Sequence, residues 1–439
     1  MNPLRLLLLF LVLPGVGVCA RAQTLPELIA TGLQNNYKLK IVRNEEAKRS
    51  NNATAANAGY LPVVTATAGY DGAYGDNRTR RREDGLVTRR GASPDHGLQV
   101  GVNADWTLFD GFRIQADYAR LQELKRQGET RTRMDIEDYV ATLTGEYFNL
   151  VQQQIRARNL RNAVRLSKER LRIVLERYTI GSASRLDLQQ ARVDFNADSA
   201  QSLKQNEMLA TSRIRLYELM AVDSLGQTPL VRDSVIEVDA SLSYDTLLAA
   251  TLLQNAKLLD SKHDIRLARH DYRAVMSRDY PYVKLYAGYS WQHNRYGEGA
   301  NDRRSAWGAD FGVKVGYRLF DGNRSRERRN ALLDIDNAEL ARLQLEQALR
   351  SDLADLWQAY RNNLRLLSLE RENLATAREN HYIAHERYML GDLSGIEMRE
   401  AQQSLLDAEE RILVAEYNTK LCEISLNQIS GGIMSYTRP

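Results

Sequence analysis

Cysteine and proline are both scarce in this chain, and each scarcity bears on its fold. The 439 residues include two cysteines, Cys19 and Cys422. Because Cys19 falls in a segment predicted to be removed, Cys422 has no partner and an internal disulfide is excluded. Cys422 lies on a helix-periodic stretch and is most simply a small packing residue. Only eight prolines occur in the chain, so very long helices are permitted.

The common catalytic motifs are also missing from the sequence. It contains no Gly-rich phosphate loop at a strand–helix junction, no G-x-S-x-G and no C-x-x-C. His381 and His385 would share one helix face and could hold a metal ion together, but no third ligand is indicated. Solvated or packed histidines are therefore favoured. We predict a protein that is not an enzyme and has no cofactor or metal site.

An excess of one charge is missing as well. The 60 basic residues are dispersed among 56 acidic ones, which leaves a net charge of +4. A nucleic-acid interface requires basic residues gathered on one face, so we predict no nucleic-acid partner. With 43% hydrophobic and 26% charged residues, the composition instead favours long helices with polar faces.

The N-terminus is typical of a secretory signal peptide. Arg5 precedes the apolar run 6–13, and a small-x-small cleavage site ends at Ala22. We predict that residues 1–22 are removed. Lipidation of Cys19 is the alternative, but Val18 stands where a lipoprotein signal requires a small residue.

Two motifs occur twice, in the same order. Residues 176–191, ERYTIGSASRLDLQQA, return as residues 386–401, ERYMLGDLSGIEMREA, and the tetrapeptide LFDG stands at 108–111 and 319–322. The chain is therefore a tandem duplication. Each half is predicted to contain a helix, two strands, a long helix, a tip and a return helix. The predicted divisions are 23–221 for the first repeat, 222–243 for an inter-repeat belt segment and 244–439 for the second repeat with its C-terminal tail.

Four segments alternate apolar and polar residues and are predicted to be β-strands. They lie at about 63–74, 97–109, 282–293 and 307–320. Their length suits a tilted membrane crossing, and charged residues are confined to one face. The residues predicted to face lipid are Val100, Val102, Trp106, Val283, Leu285, Tyr289, Trp291, Phe311, Val313, Val315 and Tyr317.

These strands are too few to close a barrel within one chain. An open sheet edge cannot lie in lipid, so the predicted fold is a mixed α+β membrane protein in which several chains share one β-barrel. The segment 72–96, between the first two strands, is rich in arginine and is predicted to be a solvated loop. Binding of this segment to anionic lipopolysaccharide at the cell surface is the alternative.

A very long helix is predicted after each strand pair. The helices are predicted from Gly111 to Tyr178, a stretch without proline, and from about Ser325 to Tyr388. Within them, apolar residues spaced by three and four are typical of a coiled-coil seam. Nearly 70 residues at a rise of 1.5 Å give about 100 Å of helix. Because these helices carry many charged residues, we predict that they project from the membrane rather than cross it.

A tight turn is predicted where each long helix ends. Gly181 and Gly391 suit the left-handed conformation that ends a helix, and Ser184 and Ser394 suit the N-caps of the return helices. The return helices are predicted at about 185–220 and 396–429.

Acidic residues follow both turns. Glu397 and Glu400 are three residues apart and share one helix face. If several chains meet around an axis, such residues form carboxylate rings that select by charge at a channel mouth. Ordinary surface solvation is the alternative. Asp187, after the first turn, is a third candidate for this gate.

The signal peptide, the duplicated order of elements and tips of the form R-Y-x-x-G-x-x-S resemble the TolC-like outer membrane efflux protein family over essentially the whole mature chain. The resemblance implies a homotrimer in the outer-membrane lipid of a Gram-negative bacterium, with a shared twelve-stranded barrel and a tunnel of periplasmic helices. It implies a periplasmic membrane-fusion adaptor and an inner-membrane pump of the RND, ABC or MFS type as partners. Opening would follow from an iris-like untwisting of the hairpins.

The resemblance also assigns site residues. The family's periplasmic constriction carries two aspartates shortly after the second tip glycine, and Glu397 and Glu400 stand at the matching positions. Tyr178 and Tyr388 match docking positions, although both could equally be seam residues. The full set that matches the adaptor-docking tips is Arg177, Tyr178, Gly181, Ser184, Leu186, Arg387, Tyr388, Gly391, Ser394 and Ile396.

These observations together predict a gated outer-membrane exit duct that conducts substrates passively in a tripartite efflux or type I secretion system. The alternative is a periplasmic coiled-coil adaptor or structural protein without a pore. Such a protein would contain long helical hairpins, but it has no need of four membrane-type strands.

Overall fold

The computed structural model describes residues 24–80, 82–222, 233, 235–297 and 302–438. The predicted signal peptide and the alternative lipidation of Cys19 lie outside these residues. Two successive halves of the described chain have the same order of elements. The first contains α1 Leu25–Asn35, α2 Tyr37–Asn52, β1 Val63–Arg80, β2 Val87–Asp110, α3 Arg113–Thr179 and α4 Arg185–Met220. The second contains α5 Tyr244–Gln254, α6 Ala256–Met276, β3 Tyr282–Arg295, β4 Arg303–Gly316, α7 Arg324–Leu390 and α8 Gly395–Ile429.

This repeated order confirms the predicted α+β fold with an internal duplication. Long helices dominate it, and the four strands form one antiparallel sheet. None of the described helices has both the length and the apolar composition needed to span a membrane.

Each half begins with two helices separated by one asparagine. The sequence pattern predicts a single helix from Leu25 to about Ala58, but α1 and α2 are separated at Asn36. The Asn36 side chain accepts a hydrogen bond from the Leu39 amide at 3.1 Å and donates one to the Leu219 carbonyl at 2.8 Å. Asn255, between α5 and α6, likewise donates to the Ile429 carbonyl at 2.8 Å. Asparagine side chains compete with helical backbone bonds in this way, and here each also satisfies a carbonyl at the end of a return helix.

The sheet has the strand order β1-β2-β3-β4, so β1 and β4 are its edges within the described chain. Its pairing brings apolar residues of all four strands to one face. Val64 pairs with Ala104, Ala104 with Ala287, and Ala287 with Phe311. Because paired residues in a sheet point to the same side, the residues predicted to face lipid within these strands lie on this apolar face. The opposite face carries Thr65, Asn103, Gly288 and Asp310.

The strand ends differ from the prediction. β1 continues to Arg80 and β2 begins at Val87, so most of the predicted 72–96 loop is a paired hairpin. Backbone pairing does not require apolar and polar residues to alternate. The strand prediction relied on that alternation, so it stopped where the alternation stops.

The strand predicted to reach residue 320 ends at Gly316, so Tyr317 lies beyond β4 rather than in it. Gly316 pairs with Tyr282, and the next partner would be Pro281. Proline has no backbone N–H to donate to a ladder, which explains why the pairing stops there.

The chain divides into two compact units. One contains the described residues up to Ile41, Met134–Asn255 and those from Gln347 onward. Its main core contains residues of α1, of the middle of α3 and of the last described part of the chain. Tyr147, Ile29 and Ile433 are fully buried in it. The Tyr147 hydroxyl donates to Asp233 at 2.6 Å.

The other unit contains Val42–Arg133 and Ala256–Glu346, and therefore the whole sheet. Glu123 of α3 is buried in it and pairs with His263 at 2.6 Å and with Arg266. Gly111, after β2, has a φ of +72°, and a Cβ at this position would lie 2.0 Å from the Ser277 carbonyl oxygen. Only glycine fits that place without displacing backbone.

Candidate functional site

The two hairpin tips have the same backbone conformation. Gly181 follows α3 with a φ of +81°, and Gly391 follows α7 with a φ of +89°. The Gly181 amide donates to the Tyr178 carbonyl at 3.1 Å, and the Gly391 amide donates to the Tyr388 carbonyl at the same distance. A second amide in each tip reaches back five residues. These pairs of bonds are Schellman motifs, so the glycines end the helices as their position predicts.

Each return helix begins with a capping box. The Ser184 hydroxyl accepts a hydrogen bond from the Asp187 amide at 3.1 Å, and the Asp187 carboxylate accepts one from the Ser184 amide at 3.0 Å. Ser394 and Glu397 exchange the same bonds at 3.2 and 3.0 Å. These exchanges satisfy amides that a helix start otherwise leaves unpaired. Two of the three predicted gate carboxylates therefore also act as helix caps.

Hydrogen bonding to serine changes the acidity of these caps. The Ser184 hydroxyl and amide lower the pKa of Asp187. The Ser394 hydroxyl and amide lower the pKa of Glu397, and Arg387 contributes in the same direction. Both carboxylates are exposed and are held in the charged form. A negative charge in the first turn is also favoured by the helix dipole.

Tyr178 and Tyr388 occupy equivalent positions of the repeat but different environments. Tyr388 is 3% exposed and packs with Ala384, Met398 and Ala401, whereas Tyr178 is 40% exposed. The Arg177 guanidinium lies 4.8 Å from the centre of the Tyr388 ring and donates to the Tyr388 carbonyl at 2.8 Å. Burial raises the pKa of the Tyr388 hydroxyl. Tyr388 is thus a seam residue, and Tyr178 is accessible at the tip.

Two ion pairs connect the helices behind the tips. The Arg170 guanidinium of α3 lies 2.5 Å from the Asp194 carboxylate of α4. Arg399 of α8 binds both oxygens of Asp198 of α4 at 2.7 Å. Arg170 and Asp198 are buried, and buried charges are stable only when paired. These ion pairs were not predicted, although charged residues at seam positions of a coiled coil were a signal that could have indicated them.

The outermost tip residues expose large apolar side chains. Leu186 is 76% exposed and Ile396 is 75% exposed. Ile180 and Leu390, at the ends of the long helices, are also exposed. Large exposed apolar side chains of this kind are candidates for contact with a protein partner.

A cleft of about 240 Å³ is lined in part by Ile396. It brings together five of the predicted tip and gate residues, namely Arg177, Asp187, Tyr388, Ser394 and Ile396. The other predicted residues lie outside its lining. Glu400 is exposed on α8, one turn after Glu397. Its carboxylate forms no ion pair within the part of the chain that the structure describes.

Metal-binding clusters are the remaining kind of candidate site. Within the described ranges, no group of three or more His, Cys, Asp or Glu residues is placed to hold a metal ion. His381 and His385 lie near the end of α7 and are half-buried.

The apolar face of the sheet is the second candidate functional surface. Phe311 is 83% exposed, and Val313 and Val315 are exposed on the same strand. Val100, Val102, Trp106 and Tyr289 are also exposed, whereas Val283, Leu285 and Trp291 are half-buried. A sheet face of this composition requires a cover of lipid or protein.

Comparison with known proteins gives a consistent result. The family model described as "Outer membrane efflux protein" matches residues 28–222 and 247–432. The two matched segments fall one in each half of the duplication.

Two curated relatives and one solved structure illustrate the similarity. The outer membrane protein TolC of Vibrio cholerae is 21% identical over 93% of this chain and 91% of its own length. The toluene efflux pump outer membrane protein TtgF of Pseudomonas putida is 24% identical over 94% of this chain and 84% of its own. A crystal structure of CusC has a TM-score of 0.73 at 20% identity, covering 93% of this chain and 92% of that one. At this identity the structure supports the fold alone.

Proposed function

The chain belongs to the outer membrane efflux protein family and is an outer-membrane protein, and from this premise we propose that it is the gated exit duct of a tripartite efflux pump. Two of its relatives are named as parts of efflux pumps or efflux systems. The duct conducts substrates passively from the periplasm to the exterior, and the inner-membrane partner supplies the energy.

The observation that carries this proposal is the sheet with one apolar face and two unpaired edges. Strands β1 and β4 have neighbours on one side only within the described chain, and an open edge cannot lie in lipid. Pairing of β4 in one chain with β1 in the next removes every edge when the ring closes. We propose a homotrimer, in which three sheets of four strands form a twelve-stranded barrel with the apolar face towards lipid.

The tips are the docking surface for a periplasmic membrane-fusion adaptor in this proposal. Leu186 and Ile396 supply exposed apolar area, and the adjoining cleft supplies Arg177 and Asp187 as polar partners. Apolar anchors with a polar rim are the usual composition of a protein interface. The same surface is shaped or bordered by Tyr178, Arg387, Gly181 and Gly391. The adaptor links the duct to an inner-membrane pump of the RND, ABC or MFS type.

Glu397, Glu400 and Asp187 form the periplasmic gate in the proposed trimer. Three copies of each carboxylate around one axis make rings that favour cations and repel one another in the closed state. Because Asp187 and Glu397 are held by their serine caps, Glu400 is the carboxylate that is free to bind a divalent cation.

The relatives differ in the substrates for which they are named. TtgF is named for toluene efflux and CusC for cation efflux. We propose export of small solutes or ions by this chain, with protein export in a type I secretion system as the alternative. Transport assays with each class of substrate in a strain lacking the duct distinguish the two.

Mass measurement and bilayer recording test the duct itself. Protein purified in detergent should have the mass of three chains and give small, cation-preferring currents in planar bilayers. Heating to dissociate the trimer is the control and should abolish the currents. A water-soluble monomer that gives no currents would contradict the proposal and favour the coiled-coil adaptor.

A further inference from the structure

His381 and His385 form a stacked pair on α7. Their ring centroids are 6.4 Å apart and their planes differ by 14°. Residues four apart on a helix project from the same face, and two histidines with this spacing are a recurrent pair of metal ligands. The pair lies in the last turns of α7 before Gly391.

One nitrogen of this pair lacks a partner. The Nε2 atom of His381 is buried, and no described residue forms a hydrogen bond with it. Buried polar atoms are nearly always satisfied, and an exception indicates a water, an ion or a functional role. This nitrogen lies on the ring that stacks with His385, so an ion bound by both rings would satisfy it.

We propose that His381 and His385 bind one divalent transition-metal ion, with Cu²⁺ preferred over Ni²⁺ and Zn²⁺. Imidazole nitrogen suits all three ions, and Cu²⁺ binds most tightly in the general order of these metals. Water molecules complete the coordination shell. The bound ion restrains α7 close to the tip. This inference concerns metal binding by the folded chain and does not depend on conduction.

The test is titration of the full chain, purified without a polyhistidine tag, with CuCl₂ alone. Calorimetry should give one ion per chain, and electron paramagnetic resonance should show coupling to two imidazole nitrogens. His381→Gln and His385→Gln should each weaken binding by at least about tenfold, because even a residue that only supports a ligand is worth about 10–100-fold. Circular dichroism establishes that each variant is folded.

His270→Gln is the matched control. His270 is also half-buried and has an unpartnered buried Nδ1 among the described residues. However, it has no second histidine one turn away. This variant should bind Cu²⁺ like the wild type. Equal binding by all four proteins, or no binding by the wild type, would overturn the proposal, and neither result bears on the duct.

Discussion

At the tips, equivalent positions of the duplication have acquired different surroundings. Tyr388 is buried under the Arg177 guanidinium, while Tyr178 is accessible. Ser184 and Ser394, in contrast, retain the same capping geometry. Residues that cap the return helices have thus kept the same role in both halves, whereas the two tyrosines near the seam have acquired different surroundings.

The two tyrosines should differ in their effect on local stability. Tyr388→Ala removes a buried aromatic side chain, a change that costs about 3–5 kcal/mol in well-packed sites. Tyr178→Ala, its control from the other half, should cost less than about 1 kcal/mol. Hydrogen exchange of the last turns of α7 and α3 measures both effects. Equal loss of protection in the two variants would show that Tyr388 is not a seam residue.

The capping carboxylates should make the tips sensitive to acid. Asp187 and Glu397 have lowered pKa values in the folded chain. Their stabilising contribution is therefore complete above the ordinary values of 3.8 and 4.5 and is lost as the pH falls through the folded values. Protection factors in the first turns of α4 and α8 should fall on acidification below these values.

Asp187→Asn and Glu397→Gln are the controls for this acid effect. Each should remove the pH dependence from its own helix and leave the other helix unchanged. Constant protection of the wild type across the same pH range would contradict the capping role.

At the scale of elements, helix ends could be predicted from the sequence better than strand ends. The return helices, predicted at 185–220 and 396–429, lie at Arg185–Met220 and Gly395–Ile429. A glycine and a serine mark each start, and these residues act through local geometry. The β1–β2 hairpin continues through polar sequence, and β4 stops because of a proline on its neighbour. Both effects depend on the residues of the partner strand, and the pattern within one segment gives no information about that partner.

The residues of the candidate site differ in the same way: those with local roles could be predicted from the sequence, and those that join separate helices could not. The tip glycines and serines could be assigned from one motif because their roles are local. The pairs Arg170–Asp194 and Arg399–Asp198 join different helices, so they depend on how the coiled helices pack. The SxxD and SxxE spacing of the capping boxes was present in the repeated motif, and it identifies the second role of Asp187 and Glu397.

The repeated LFDG motif should tolerate substitution in one half only. Gly111→Ala places a Cβ against the Ser277 carbonyl at a positive φ, which should destabilise the unit containing the sheet by at least about 1–2 kcal/mol. Gly322→Ala is the control, because its nearest contact would be the Phe320 ring at 3.9 Å. Thermal unfolding in detergent measures both. A Gly111 variant as stable as the Gly322 variant would refute the close approach.

At the scale of the whole molecule, the proposed function depends on copies of the chain acting together. The described residues of one chain supply four strands and two tips, whereas a closed barrel and carboxylate rings require neighbours around an axis. The helical hairpins alone would suit the alternative of a coiled-coil adaptor. The apolar face shared by the four strands has no role in that alternative, and this surface supports the proposed duct.

The free carboxylate of Glu400 should determine how divalent cations block the duct. Glu400→Gln removes one ring of charge from the proposed gate without disturbing the Ser394 cap, so block by divalent cations in planar bilayers should weaken. Glu372→Gln, which neutralises an exposed residue elsewhere on the long helix α7, is the control. If both variants are blocked like the wild type, Glu400 has no part in the gate.

The core that joins both ends of the described chain has a consequence for biosynthesis. Ile29 of α1 and Ile433, close to the last described residue, are fully buried in the same core. A ribosome makes these residues about 400 positions apart, so this part of the core cannot be completed until the last of them has emerged. A nascent or prematurely terminated chain therefore lacks the part of this core that Ile433 fills, and the apolar surface left exposed there is of the kind that chaperones and proteases recognise. Quality control of this protein is thereby tied to completion of its translation.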